Sequence, residues 1–323
     1  VMIMGGSLWL MAAQSVAAGP AMGGGLLDPS EIDQAVTLVQ GTEAEPGAVT
    51  VVLQAHDRDK NKWQAFFDKA AEYHTVPLIR LATGVDDKGG WRRPTKKDIV
   101  EHALFLTNLN WHSDELRVIG FNEPNQAAEW GGKVDPEDYA QVLLFASDWF
   151  HTEAKKYVVL PAGLDAAAPN GTATMDNLTF LGRMFKSQPE LIDKLDGWTA
   201  HAYPNPGFTA SAYNSGKQGI KSWEYELNLI NKFVSGEITN FSQRSWDVYI
   251  TETGWRVTPA TVKRLGQYYD YAMKQVWNDE RIQAVTPFVW SAQAGPFKDF
   301  SFVNSDGSPT PSFEAFKKVK SET

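Results

Sequence analysis

Apolar and polar positions follow two rhythms along this chain, and the rhythms take turns. Short β-branched or aliphatic runs have the length and composition of buried strands, such as Val49-Thr50-Val51-Val52-Leu53-Gln54, Val76-Pro77-Leu78-Ile79-Arg80-Leu81 and Arg117-Val118-Ile119-Gly120-Phe121. Between them lie stretches whose apolar residues recur three and four apart, the spacing of an amphipathic helix. The pattern predicts strands at 21–27, 49–54, 76–81, 117–121, 157–160, 197–202, 247–251 and 284–289. It predicts helices at 28–40, 63–73, 96–108, 136–151, 176–186, 222–234, 259–276 and 313–319. Asp28-Pro29-Ser30-Glu31 and Asp135-Pro136 read as helix starts, with the aspartate as cap and proline in the first turn. Eight strands alternating with helices describe parallel βαβ units, and eight such units close into an α/β fold of the (β/α)8 TIM-barrel type. An open doubly wound sheet is the competing fold, but the glycine-rich phosphate loop that often follows its first strand is missing here. One catalytic barrel is expected over residues 21–323.

Residues 1–20, VMIMGGSLWLMAAQSVAAGP, carry no charge and are almost all apolar or small. The segment has the look of a secretory h-region with a small-residue cleavage zone at Ser15-Val16-Ala17, but no Lys or Arg precedes it and the chain begins with Val. An anchor stub or a remnant of expression fits as well, so membrane contact is expected only if the segment stays uncleaved. Export or a cell-envelope location is favoured over the cytoplasm. The net charge of −9 with no basic run argues against nucleic acid as a partner. With no cysteine, thiol nucleophiles, disulfides and zinc–thiolate sites are excluded. A monomer is expected.

A barrel puts its chemistry at the C-terminal ends of its strands. Glu123 follows the apolar run Val118–Phe121, where an unpaired carboxylate costs free energy unless it is solvated, partnered or used. Glu252 ends the seventh strand, three βα units later. The two carboxyls would therefore face each other across one cleft. A carboxyl pair flanking a cleft is the machinery of glycoside hydrolysis, one group protonated and the other ionised. Other polar or aromatic residues stand at strand ends or in the loops beyond: His56, Arg80, Trp91, Asn122, Trp130, His201, Tyr203, Trp255 and Trp290. Taken singly, each has a plain structural reading: a turn, a satisfied histidine or an aromatic core residue. Aromatic faces on loops also suit the C–H face of a sugar ring.

Together, Asn122-Glu123-Pro124 after strand four, His201-x-Tyr203 at strand six, Thr251-Glu252 after strand seven and Trp290 at strand eight resemble the clan A glycoside hydrolases. These are retaining (β/α)8 enzymes that include the family 5 cellulases and mannanases. The resemblance implies Glu123 as acid/base, Glu252 as nucleophile and Asn122 as the contact to the sugar 2-hydroxyl. It also implies Tyr203 as a hydrogen-bond donor to the nucleophile, His201 near the acid/base and Trp290 as the platform under the reacting sugar. The family 5 pattern also has an Arg and a His on the early strands, and neither Arg80 nor His56 nor Arg58 falls securely on those positions. Arg80 is the candidate cation for Glu252, with a barrel-interior ion pair as its structural alternative.

The implied reaction is retaining, endo-acting hydrolysis of a β-linked oligo- or polysaccharide, with no cofactor and no metal. An exo-acting β-glycosidase and a non-catalytic sugar-binding barrel remain open. A metal-dependent hydrolase would need a histidine–carboxylate cluster, for which His56-Asp57-Arg58-Asp59 is the nearest candidate.

Overall fold

The computed structural model describes residues 19–87, 89–237, 244–292 and 295–322; the apolar segment at 1–20, except its last two residues, lies outside them. Eight strands form one parallel sheet: β1 (Ala21–Leu26), β2 (Gly47–Gln54), β3 (Thr75–Ala82), β4 (Glu115–Gly120), β5 (Lys156–Pro161), β6 (Trp198–Ala202), β7 (Val248–Thr253) and β8 (Ile282–Val285). The order β5-β4-β3-β2-β1-β8-β7-β6 brings β1 against β8, as in a (β/α)8 barrel. The seam between β5 and β6 has no regular ladder. It is held by Thr199 Oγ1 donating to the Pro161 carbonyl at 2.6 Å, the Val159 amide donating to Asp196 Oδ2 at 2.7 Å, and one bridge between Asp165 and His201.

Helices cover the strands: α1 (Val36–Val39), α2 (Lys60–Glu72), α3 (Lys96–Thr107), α4 (Pro136–Thr152), α5 (Asn177–Ser187), α6 (Leu191–Lys194), α7 (Ser222–Glu237), α8 (Leu265–Tyr271) and α9 (Pro311–Lys320). Local signals start them where expected. Asp59, Thr95, Asp135 and Asp176 accept from backbone amides of the first turns of α2 to α5. No helix among the described residues is long and apolar enough to cross a membrane.

The pattern fails at three boundaries. Residues 28–40 wind as a capped 3₁₀ turn, Pro29–Glu31, and a single α turn at Val36–Val39, not one helix. The helix expected from 259 begins at Leu265, because Thr258 and Thr261 bond each other's backbone amides and hold a turn there. β8 ends at Val285, ahead of Pro287, which has no N–H to continue a ladder.

Two features aim side chains into the barrel mouth. Leu78, Ile119, Tyr249 and Ala284 belong to the small cluster that fills the barrel interior. Two residues beyond Leu78, strand alternation turns Arg80 to the same inner side, one layer higher. On β7 the alternation is broken deliberately. Ala200 pairs with Ile250, but the next residue, His201, pairs with Glu252, so Thr251 is an extra residue in β7. Ile250 packs among the apolar residues of the main core. The bulge restores Glu252 to the inner side, beside His201, a known use of bulges at barrel rims.

A buried carboxyl sits behind β6. Glu226 of α7 accepts from Trp198 Nε1 at 2.9 Å and Asn177 Nδ2 at 2.8 Å, and burial pushes it from its ordinary 4.5 to about 7. The folded state therefore binds this proton more tightly than the unfolded chain. Its stabilising contribution is complete below about pH 4.5 and is lost as pH rises through about 7, up to about 3 kcal/mol. Glu226→Gln keeps one acceptor and, with the unpartnered Asn177 Oδ1 turned to receive the new amide, satisfies both neighbours. Thermal unfolding of this variant is expected at higher temperature than the parent at pH 8, with the gap closing by pH 5. A gap that does not change with pH contradicts the assignment.

Candidate active site

At the C-terminal ends of the strands opens a cleft of about 680 Å³. Its floor holds Arg80 from β3, Asn122 and Glu123 from the loop after β4, Asp165 from the loop after β5, His201 and Tyr203 at the end of β6, and Glu252 from β7. The backbone that presents Glu123 is unusual. Phe121 and Glu123 both have positive φ, 78° and 30°, in the left-handed region that non-glycine residues seldom occupy. The Glu123 amide is held by the Gly163 carbonyl at 3.1 Å. Trp130 closes this loop from beneath, its ring against Phe121 and Tyr139.

The carboxyls of Glu123 and Glu252 converge on His201. One oxygen of each glutamate and one imidazole nitrogen all lie within 4.8 Å of one another. His201 Nδ1 is 2.8 Å from Glu123 Oε1 and 3.7 Å from Glu252 Oε2. Glu252 Oε2 accepts from the Tyr203 hydroxyl at 3.0 Å, while Oε1 accepts from Arg80 Nη1. The same Arg80 nitrogen donates to Asn122 Oδ1 at 2.7 Å. Gln126 Nε2 donates to Glu123 Oε2 at 2.8 Å and to Asp165 Oδ2 at 3.2 Å.

This arrangement drives the two carboxyls in opposite directions. Burial raises the pKa of Glu123, and the charges of Glu252 and Asp165 raise it further against the opposing pull of His201. Burial also works on Glu252, but the positive charges of His201 and Arg80 outweigh it and hold this carboxyl below its ordinary range. Burial disfavours a charged His201, yet Glu252 and Glu123 together raise its pKa above the ordinary value. Burial, then the nearby glutamates, keep Tyr203 a neutral phenol and hence a donor. One acid with a raised pKa, facing one with a lowered pKa, is the division of labour that acid–base and nucleophilic catalysis need. Among the described residues, this trio is the one grouping of three side chains with ligand atoms close enough to hold a metal ion. Arg80 and Tyr203 already occupy the oxygens of Glu252.

Of the residues expected here, the cleft brings together Glu123, Glu252, Asn122, His201, Tyr203, Arg80 and Trp91. It does not bring in the other four. Trp130 is buried, with its indole N–H donating to Asp138 Oδ2 at 2.9 Å. Trp255 is buried against Tyr268 and Tyr269 and donates to the Ala210 carbonyl at 3.0 Å. Trp290 is buried and packs edge-to-face on Phe313 of α9, 5.8 Å between ring centres. His56 is exposed outside the cleft. Its neighbours are spent on the entry to α2, Asp59 as the cap, Asp57 on Lys62 and Arg58 on Glu101, so no metal cluster forms there.

The aromatic wall near β8 is Phe288, with Phe297, Phe300 and Phe208 beside it in edge-to-face contacts of 5.2–6.2 Å. Strand alternation could have found Phe288, which lies two residues beyond the inward Thr286 and four beyond Ala284. Phe297 and Leu27 are about half exposed at this rim, at 53% and 44%. Sequence reasoning also missed two polar residues and a glycine. Gln126 ties Glu123 to Asp165, and Glu129 accepts from Asn122 Nδ2 at 3.0 Å. Gly163 is the third, since a Cβ there would lie 2.2 Å from the His201 ring. None carries a periodic signal, because all three lie in loops.

No family model matches the chain, and no curated relative aligns with it. Solved structures do resemble it. XacCel5A in complex with cellopentaose shares 12% identity, with 93% of this chain and 99% of that one covered at a TM-score of 0.58. A GH5_18 protein from Streptomyces cattleya in complex with GlcNAc gives 13%, 95% and 80% coverage, and 0.58. The catalytic domain of a mannanase from Streptomyces sp. SirexAA-E gives 13%, 99% and 94%, and 0.53. At these identities the likeness is one of fold, the (β/α)8 barrel.

Proposed function

We propose that this protein is a retaining β-glycoside hydrolase that cleaves β-linked glycans internally, with Glu252 as nucleophile and Glu123 as acid and then base. The observation that carries this reading is the pair itself. Two carboxyls with opposite pKa shifts have oxygens within 4.8 Å. Retaining pairs sit at about 5–5.5 Å, whereas inverting pairs stand at about 6.5–9.5 Å to leave room for water.

The chemistry follows from the charges. The Glu252 carboxylate, oriented by Arg80 and Tyr203, attacks the anomeric carbon while Glu123 gives its proton to the departing glycosidic oxygen. The covalent ester neutralises Glu252. That removes one of the charges that raise the Glu123 pKa, so Glu123 can now ionise and draw a proton from the attacking water. Asn122 beside the pair is placed to meet the sugar 2-hydroxyl, a contact that strengthens in the transition state.

The lining of the cleft favours a chain over a single sugar. Trp91 comes from the loop after β3 and Phe288, Phe297 and Phe300 from those after β8, with the carboxyl pair on the floor between these walls. Neighbours of the same fold include one solved with cellopentaose. A panel of β-1,4-glucan, mannan and xylan together with aryl β-glycosides tests the reading. Release of oligosaccharides of mixed length supports it. Release of monosaccharide only points to exo action, and binding without turnover of any member removes the hydrolase reading.

A further inference from the structure

Besides Asp165, the site contains another carboxyl with no part in the double displacement, that of Glu129. Glu129 ends a 3₁₀ turn, Ala127–Glu129, and reaches back to the cleft floor, half-buried. Its Oε2 accepts from Asn122 Nδ2 at 3.0 Å. On the other end of the same carboxamide, Asn122 Oδ1 accepts from Arg80 Nη1 at 2.7 Å, and that nitrogen also donates to Glu252. A continuous chain therefore runs Glu129–Asn122–Arg80–Glu252.

The ends of the chain fix its sense. A guanidinium can only donate, so it must face the carboxamide oxygen. The oxygen of Glu129 then receives the NH2 group, and a turned amide would set NH2 against guanidinium and oxygen against oxygen. Resting on the glycosidase reading above, we propose that Glu129 is a positioning residue that locks the Asn122 carboxamide in the orientation that serves the sugar 2-hydroxyl. Nothing in the double displacement requires a carboxyl at this place; what requires it is a partner for the Asn122 amide hydrogens in a half-buried floor.

The charge around Glu129 makes the link observable. Burial raises its pKa to about 7, Asn122 and Arg80 from β3 pull it down, and Glu123 and Glu252 from β7 push it up. Arg92, in the loop after β3, also borders the small side pocket that Glu129 lines and is itself paired with Asp98. Glu129 thus changes charge near neutral pH while bonded to Asn122.

Two readouts test the proposal. The first needs no turnover: the Asn122 side-chain amide resonances, assigned by their loss in Asn122→Ala, are followed by nitrogen–proton NMR from pH 5 to 9. They are expected to shift with a midpoint near 7 in the parent and to lose that step in Glu129→Gln, where the glutamine carbonyl still accepts the hydrogen bond. An unchanged step in Glu129→Gln overturns the proposal whether or not the protein hydrolyses anything. The second uses turnover. Glu129→Ala is expected to lower kcat about 10- to 100-fold on an aryl β-glycoside with little change in KM, Glu129→Gln to recover most of it, and the 2-deoxy substrate to show no such loss. Equal losses on the 2-hydroxy and 2-deoxy substrates indicate a merely structural role and overturn it. A parent inactive on every substrate removes the glycosidase reading and leaves the NMR result to decide the role of Glu129.

Discussion

Glu252→Ala is expected to abolish hydrolysis of every substrate the parent accepts, with a loss on the order of 10⁵–10⁶-fold in kcat. Three observations set that expectation. The carboxyl is inward only because of the extra residue in β7, it is held by Arg80 and Tyr203, and it is kept ionised despite burial. Binding of substrate is expected to survive, because Trp91 and the phenylalanine wall are untouched. Azide fills the space left by the carboxyl and can attack the anomeric carbon from the same face. Rescue of an aryl glycoside by azide should therefore yield the α-glycosyl azide. Substantial turnover by Glu252→Ala without azide would remove it as the nucleophile.

The second large effect concerns leaving groups. Glu123→Ala removes the proton donor, so the loss should scale with how badly the leaving group needs a proton. A natural glycan, which departs as an alkoxide equivalent, is expected to lose about 10²–10⁴-fold, whereas formation of the glycosyl-enzyme from a dinitrophenyl glycoside should be nearly unimpaired. The pH dependence follows with its sign. Burial raises the pKa of Glu123, so its acid form persists above the ordinary carboxylate range and activity falls as pH rises through that raised value. Glu252 is lowered, so the acid limb lies below the ordinary range. Glu123→Gln should erase the alkaline limb of kcat/KM. Equal losses on good and poor leaving groups, measured by stopped-flow and steady-state rates, would contradict the acid role.

Much of this was legible in the chain, for reasons that differ by residue. The strand-then-helix rhythm is set by burial on both faces of the barrel strands, so runs such as Val76–Leu81 and Val118–Phe121 mark themselves. Glu123 stood out because a carboxylate after such a run demands a reason. Glu252 did so because it closes the seventh run. The tryptophans misled because a large aromatic ring serves a core as well as it serves a sugar. Trp130, Trp255 and Trp290 fill aromatic clusters behind the site, and the indole N–H groups of the first two are satisfied internally. Phe288, smaller and one alternation closer to the strand, lines the cleft that Trp290 was expected to line. His56 followed a strand as required, but the chain turns at once into α2 and leaves it in solvent. Glu129, Gln126 and Gly163 were invisible because their roles are defined by contacts across loops, to Asn122, Glu123 and His201, which no local pattern encodes.

The account depends on the short separation of two carboxyls, and the stereochemistry of the first product formed reports on it most directly. Proton NMR during hydrolysis of the glycan or aryl β-glycoside that the protein turns over fastest should show the β-anomer appearing first, with the α-anomer growing only by mutarotation. Initial release of the α-anomer would mean a single displacement by water, which a pair this close does not accommodate, and would contradict the assignment of Glu252 as a nucleophile.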